Sequence, residues 1–191
     1  NAQFAFGVAE CLLELARIHS RNGDISNAIS QFHEAAAHFE KAADLVKSGE
    51  CLSLLSDICY NIGNYDQALD SRLQALHYAK QSNNPVLICE YLNKVGEVYK
   101  ALGDYKKAIE NHTQSLLIAE TLHDKALLSK TNYYIGNCYN WWDKLDKAFK
   151  YLDCSLQIAD ELNSPELQVK PTGSLAILFT KMKEFDKAGE Y

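Results

Sequence analysis

Histidine, glutamate and cysteine are the residue types of this sequence that could bind a metal or act as a nucleophile. The stretch from His33 through Glu34 to His38 comes close to the zinc-protease pattern HExxH. That pattern needs two histidines four residues apart, so that both leave one face of a helix, whereas these two are five apart. Because no third ligand is nearby, we interpret them as exposed or half-buried helix residues and predict no metal site.

The six cysteines offer no catalytic arrangement, since none forms a CxxC pair. Each lies within a helical pattern, where a free thiol behaves as a small apolar group, and none has a histidine at helical spacing to activate it. Motifs for phosphate, dinucleotide or serine-nucleophile chemistry are also absent from the sequence. We therefore predict no catalytic residue, no cofactor and no enzyme activity. The cysteines are Cys11, Cys51, Cys59, Cys89, Cys138 and Cys154.

Composition and charge restrict the location and the partners. The 191 residues carry a formal net charge of -6, which disfavours a broad basic face for nucleic acid or anionic lipid. No apolar run approaches the length of a membrane span. Unpaired cysteines are typical of a reducing compartment, so we expect a cytoplasmic protein and leave an association with the cytoskeleton open. The sequence lacks an initiator Met and stops within a repeated phrase, which indicates a segment of a longer protein.

The elements that position these residues follow a repeat of 40 residues. Five alanines at this spacing each close a similar phrase: GDISNA, GNYDQA, GDYKKA, DKLDKA and KEFDKA. They are Ala28, Ala68, Ala108, Ala148 and Ala188. A fixed period of this length is typical of units that bury their apolar faces only against their neighbours. The sequence therefore predicts a repeat array with a continuous core.

Each repeat has the pattern of two helices. In the copy over 88–122, Leu92 and Val95 share one helical face, and the pattern breaks at Gly103-Asp104 before a second helix begins with Tyr105. Gly96 and its small counterparts in the other copies would let the two helices approach closely. Each copy is therefore predicted to be a helical hairpin.

The small residue, the turn glycine and the alanine of this copy, Gly96, Gly103 and Ala108, are spaced as in the tetratricopeptide repeat, which the whole sequence resembles. That family has a usual period of about 34 residues, and the longer period here is similar to the long-helix subclass of LGN/Pins-type and tonsoku-type scaffolds. The resemblance implies an all-α fold, a right-handed superhelical solenoid of antiparallel helix hairpins in a single domain over 1–191. The expected repeats are 1–47, 48–83, 84–123, 124–163 and 164–191.

Prolines predict where two of the later helices begin. Asn84-Pro85 and Ser164-Pro165 have the pattern of a cap followed by proline in the first turn, which marks the start of the first helix in the third and fifth hairpins. Pro171 lies further inside the fifth hairpin, where proline removes a hydrogen bond and clashes with the preceding turn. We therefore expect this helix to start near Thr172 or to be kinked.

By the same resemblance, the first helix of each hairpin lines a concave groove that binds partners. The candidate partner-binding residues are Asp57, Asn61, Asn93, Glu97, Lys130, Tyr133, Asn137, Asn140 and Trp141. The first half of the groove is acidic and would prefer basic residues on a partner, although a merely solvated charged face explains it equally well. The later half is basic and aromatic. Its asparagine amides suit the backbone of an extended peptide, and Tyr133 with Trp141 suits an apolar anchor.

The fourth copy departs from the pattern, because Asp143 replaces its turn glycine and Trp141-Trp142 precedes it. Two adjacent tryptophans at a helix end cannot both point into one core, so we expect one to be exposed. The alternative, in which one fills the place of the missing glycine and the other packs on the next repeat, stays open. The carboxylate clamp of some cochaperones in this family is not matched, since Asp57 and Glu90 would repel a carboxylate.

These observations favour a non-catalytic adaptor or scaffold whose groove binds an extended or helical segment of another protein. No nucleic-acid or membrane partner is expected. A structural spacer, or an element that self-associates through its last repeat, is the main alternative, because terminal repeats must present a polar cap or find a neighbour. A sensor that clamps a signalling enzyme or an oligopeptide is a third alternative.

Overall fold

The computed structural model describes residues 2–191 and is entirely helical over that range, without a β-strand. The predicted all-α fold of helical hairpins is confirmed. The ten helices are α1 (Ala2–Arg21), α2 (Ile25–Lys41), α3 (Leu45–Asn61), α4 (Tyr65–Gln81), α5 (Pro85–Ala101), α6 (Tyr105–Thr121), α7 (Lys125–Trp141), α8 (Leu145–Glu161), α9 (Pro165–Lys181) and α10 (Phe185–Glu190). From α2 to α9 every helix has 17 residues, so each helix and its connection fill half of the 40-residue period.

Each helix from α1 to α9 is followed by one residue in the left-handed conformation. In the first hairpin this residue is Gly23, with a φ of 78°, and the following N–H of Asp24 donates to the His19 carbonyl at 2.9 Å. This bond closes the last turn and satisfies a carbonyl that the helix leaves without a donor. Glycine occupies the same place at Gly63 and Gly103. These bonds stop the helices at a constant length.

Residues with a Cβ adopt the same conformation in the other connections. They are Ala43, Asn83, His123, Asp143, Asn163 and Lys183, with φ between 48° and 63°. The fourth and fifth hairpins therefore keep the turn, with Asp143 and Lys183 in place of glycine. A left-handed residue with a Cβ costs about 1–2 kcal/mol, which packing of the two helices has to offset.

Side-chain caps start most helices and reveal a 20-residue rhythm that the sequence analysis missed. Six Asp or Asn side chains each accept the backbone N–H three residues later, which satisfies a donor exposed at the helix start. They are Asp24, Asp44, Asn64, Asn84, Asp104 and Asp124. Lys144, Ser164 and Glu184 stand at the last three starts without a side-chain cap bond.

Helix α9 corrects one prediction and confirms another. It starts at Pro165, as the Ser164-Pro165 pair predicts, and continues without interruption to Lys181, so the start predicted near Thr172 is wrong. Pro171 lacks the N–H that would bond one turn back, a loss of about 3 kcal/mol in a helix interior. Its ring is fully buried, and this burial offsets part of that loss. Helix α5 likewise starts at its predicted residue, Pro85.

The chain forms two compact units, unit 1 over Asn1–Val98 and unit 2 over Tyr99–Tyr191. Within unit 1, α1 packs on α2, α2 on α3 and α3 on α4. Within unit 2, α7 packs on α6, α8 and α9, and α9 also contacts α8 and α10. The repeated alanines at 28, 68, 108 and 148 are fully buried, as a close helix–helix contact requires.

Candidate partner-binding surface

The nine predicted partner-binding residues divide between the two units. Asp57 and Asn61 lie on α3, and Asn93 and Glu97 lie on the part of α5 that belongs to unit 1. The other five all lie on α7 of unit 2, and they are Lys130, Tyr133, Asn137, Asn140 and Trp141. Each unit therefore presents its own set.

In unit 1, Asp57 stabilises a buried cation. Its carboxylate accepts a hydrogen bond from Arg72 Nη2 and lies 3.4 Å from Lys94 Nζ. The Arg72 side chain is buried and also donates from Nη1 to Ser53 Oγ at 2.5 Å. Burial, followed by the charge of Arg72, lowers the pKa of Lys94. Asp57 thus has a structural role in unit 1, because an unpaired buried guanidinium would be costly.

Two further first-helix carboxylates of unit 1 are paired within the fold. Glu50 lies 2.9 Å from Arg17 Nη2, and Glu10 accepts a hydrogen bond from Lys47. Part of the acidic series is therefore neutralised by the protein's own cations. This neutralisation weakens the electrostatic reason to expect a basic partner there.

The amide and acid residues of unit 1 differ widely in exposure. Asn61 is exposed at the end of α3, whereas Asn93 is only 3% exposed. Glu97 is half-buried, and its charge is the second cause, after burial, of the raised pKa of Tyr60. Of these residues, Asn61 is the one that faces solvent freely.

In unit 2, α7 carries one continuous polar and aromatic face. Lys130, Tyr133, Asn137 and Trp141 follow each other at the spacing that places side chains on one side of a helix. Lys130 is exposed, and Asn137 Oδ1 accepts a hydrogen bond from Lys100 Nζ at 2.7 Å. Trp141 is 65% exposed at the end of this face. We call these four residues the α7 face.

Asn140 lies on the buried side of α7 and is 4% exposed. Its Oδ1 atom has no hydrogen-bond partner among residues 2–191, and its backbone carbonyl accepts from Lys181 Nζ at 2.8 Å. The amide is therefore not offered to solvent. Its predicted contact with a partner would require a local rearrangement.

Two tyrosines of α7 support a lysine of α9. Lys170 Nζ lies 5.6 Å from the ring centroid of Tyr133 and 6.0 Å from that of Tyr134. Tyr134 in turn stacks on His112 of α6, with centroids 5.6 Å apart and planes 8° apart. His112 is completely buried, and burial, with a smaller effect from the charge of Lys100, lowers its pKa to about 3. A buried, neutral ring thus supports Tyr134 beneath Lys170.

The two tryptophans have different environments, which confirms the prediction that one is exposed. Trp141 faces solvent, whereas Trp142 is half-buried and stacks on Tyr139, with centroids 6.2 Å apart, and on Tyr105, at 6.0 Å. Tyr139 stacks further on Tyr151 of α8. Trp142 therefore anchors the turn that lacks a glycine, and a cleft of about 400 Å³ opens beside it.

The residue types that could bind a metal are not clustered in the described part of the structure. Among residues 2–191, no three His, Cys, Asp or Glu side chains are close enough together to hold a metal ion. His33 is exposed and His38 is half-buried on α2. A membrane crossing would need a longer or more apolar helix than any that these residues form.

Comparison with known proteins agrees with the repeat pattern. The tetratricopeptide repeat family model matches residues 87–161. No curated protein matches the sequence. The structure resembles BtubC from P. vanneervenii, with a TM-score of 0.81 and 19% identity over 97% of this chain and 77% of that chain.

Two further structures share the fold. A Rap protein complexed with Competence and Sporulation Factor has a TM-score of 0.78 at 18% identity, over 94% of this chain and 50% of that chain. Aspartyl phosphate phosphatase F from Bacillus subtilis has a TM-score of 0.75 at 15% identity, over 96% of this chain and 57% of its own length. The present chain spans little more than half of these two proteins, and likeness at this identity shows the fold alone. The chain is thus an array of helical hairpins with a tetratricopeptide-like fold, and its residues 87–161 are matched by the model of that family.

Proposed function

We propose that the chain is a non-catalytic adaptor that binds an extended or helical segment of a partner protein on the first helices of its hairpins. The observation that carries this proposal is the α7 face, where an exposed tryptophan ends a row of ordered polar and aromatic residues. Large exposed aromatic side chains are enriched among the residues that dominate binding energy at protein interfaces. Trp141 is the natural anchor for an apolar side chain of the partner.

The structural neighbours support binding as a use of this fold. One neighbour, the Rap protein, was solved in complex with Competence and Sporulation Factor. Another is named as a phosphatase, so the non-catalytic character belongs to our proposal and does not follow from the fold. One fold can serve unrelated functions, so the α7 face of this chain is what supports binding here.

We also propose a cytoplasmic scaffold of the long-helix subclass, organised as one array over 1–191. The 17-residue helices and the 40-residue period support the subclass. None of the six cysteines forms a disulfide bond within residues 2–191, which fits a reducing compartment.

The test compares two exposed apolar side chains of unit 2. A peptide array of partner segments would be probed with the native chain, the Trp141→Ala variant, the Asn137→Ala variant and the double variant. We expect Trp141→Ala to weaken binding about 30-fold, because truncation of an interface anchor costs about 2 kcal/mol or more. Unchanged affinity of the double variant for every bound segment would exclude the α7 face as the site.

The matched control is Leu117→Ala on α6. Leu117 is 64% exposed, nearly the same as Trp141, but it lies on the second helix of its hairpin. We expect this variant to bind as the native chain does. Equal losses in both variants would indicate nonspecific apolar binding.

Self-association is the second candidate function. Val169 and Ile177 of α9 and Phe185 of α10 are exposed, and exposed apolar side chains on the last helices can contact another copy. Sedimentation over a range of concentrations distinguishes the two functions. A monomeric mass at every concentration removes self-association.

A further inference from the structure

We propose that the partner segment held by unit 2 is acidic, and that Lys130 and Lys170 are the residues that recognise its carboxylates. This inference rests on the proposed function and specifies the chemistry of its ligand. The site comprises Lys130, Tyr133 and Tyr134 of α7 with Lys170 of α9, and we call it the lysine–tyrosine site.

The charge at one repeat position changes sign between the units. This position recurs every 40 residues on the first helix of each hairpin. Its five occupants are Glu10, Glu50, Glu90, Lys130 and Lys170. The three glutamates belong to unit 1, and both lysines belong to unit 2. The change therefore gives the first helices of unit 2 a positive character.

The two lysines at this repeat position are not neutralised by ion pairs within the described residues. Helix α7 contains no Asp or Glu in its 17 residues. Among the described residues, Lys130 and Lys170 form no ion pair, in contrast to Lys125, which lies 2.8 Å from Glu161 at the other side of α7. Lys181 of α9 also lacks an ion pair and donates to a backbone carbonyl. An anionic group could therefore bind Lys130 and Lys170 without first displacing a carboxylate of the protein.

Lys170 is held in place before any ligand binds. Its ammonium group lies over two tyrosine rings, an arrangement that stabilises a cation while leaving its outer side open to solvent. The Tyr134 ring stacks on the buried His112, and the Tyr133 ring contacts Tyr134 with centroids 5.3 Å apart. Binding normally costs conformational entropy because it orders a flexible lysine side chain. The contacts with the tyrosines reduce that cost for Lys170.

The whole chain favours a protein segment over a polyanion. A net charge of -6 repels nucleic acid and anionic membranes, which carry dense negative charge over long distances. A segment with a few carboxylates meets only the local charge of unit 2, because salt screens interactions beyond about 10 Å. Trp141 lies about three turns further along α7 from Lys130 and is the contact for an apolar side chain elsewhere in that segment.

The experiment measures fluorescence anisotropy with labelled peptides of alternating Glu and Ser, Gln and Ser, or Lys and Ser, each with one central Leu. The variants are the double charge reversal Lys130→Glu with Lys170→Glu and, as a matched control, Lys106→Glu with Lys150→Glu. The control lysines are exposed on α6 and α8 of the same unit, and the change in net charge is the same. Circular dichroism would verify that both variants remain helical.

We expect the Glu peptide to bind best, and its affinity to fall about tenfold in the Lys130/Lys170 variant but to change little in the control. Binding should also weaken as salt is raised. Equal losses in both variants would overturn the site, because a general charge effect would then explain them.

Two further outcomes separate this inference from the proposed function. If the Gln or Lys peptide binds best and its binding depends on Trp141, the acidic preference is wrong and the adaptor function stands. A single-stranded oligonucleotide that binds more tightly than the Glu peptide and is lost in the same variant would also overturn the inference, since the site would then be a nucleic-acid surface. Failure of every peptide to bind would count against both.

Discussion

At residue 112, burial determines both the charge of a histidine and the pH dependence of stability. His112 has a folded pKa of about 3, against 6.5 for the free side chain, because its ring is enclosed between α6 and α7. Below pH 6.5 the unfolded chain gains a proton that the folded chain does not bind. The stabilising effect of the neutral ring is therefore complete above pH 6.5 and is lost as pH falls toward 3.

We predict that the contribution of His112 to the free energy of unfolding falls by up to about 1.4 kcal/mol per pH unit over this window. Urea unfolding at several pH values measures it. His112→Phe keeps the stacking partner for Tyr134 but cannot titrate, so its stability should depend less on pH between 6 and 4 than that of the native chain. His33→Phe, at an exposed position, is the control. A native pH dependence retained by His112→Phe would contradict the assignment.

Residues at equivalent repeat positions of the predicted groove differ in exposure and in their partners. The groove pattern places Asp57 and Trp141 in equivalent roles, yet Asp57 pairs with a buried arginine and Trp141 faces solvent. Asn93 and Asn140 belong to the same pattern but are buried. The exposure of a side chain depends on which side chains of the neighbouring helices pack against it. The helical period alone does not predict these contacts.

At the scale of elements, the spacing between helices is set by small residues at the points of contact. A Cβ added at Gly136 of α7 would lie 2.9 Å from the backbone nitrogen of Leu152 on α8. Backbone cannot give way as a flexible side chain does. The glycine at this repeat position therefore permits the packing of α7 on α8.

We predict opposite effects for two glycine-to-alanine changes in unit 2. Gly136→Ala should lower the free energy of unfolding by about 1–3 kcal/mol, because it forces α7 and α8 apart. Gly173→Ala should raise it by about 0.5–1 kcal/mol, since an added Cβ there meets nothing within 4 Å and alanine favours the helix. Denaturant unfolding of both variants provides the measurement. A gain of equal size in the two variants would show that backbone freedom, and not packing, decides the effect at both positions.

At the scale of the whole molecule, the chain comprises two compact units. Buried cysteines lie in both units, so their reactivity can follow the unfolding of each unit separately. Cys51, Cys59 and Cys89 are buried in unit 1, and Cys138 is buried in unit 2, whereas Cys11 is exposed. Burial, the main cause, raises the pKa of Cys51 to about 12, so that thiol is both enclosed and protonated at neutral pH.

We predict that Cys11 reacts first with a thiol reagent in the native protein, and that Cys11→Ser removes this fast phase. The four buried thiols should react only as their unit unfolds, because the thiolate is the reactive form and needs access to the reagent. Mass spectrometry of the labelled chain at increasing urea identifies which thiol reacts at each step. Fast labelling of Cys51 in the native protein would contradict the packing of unit 1.

The sequence by itself determined the helices, their pairing into hairpins and most of their ends. The turn glycines and the Pro85 and Pro165 starts act through local backbone geometry, which follows from nearby residues, and the periodic alanines mark the repeat in the sequence itself. The tertiary structure alone decided that Pro171 stays within α9, that Asp57 neutralises Arg72, and that Lys170 lies over two tyrosines while Trp141 remains exposed. These outcomes depend on burial and on contacts between side chains from different helices, and both arise only when the helices pack.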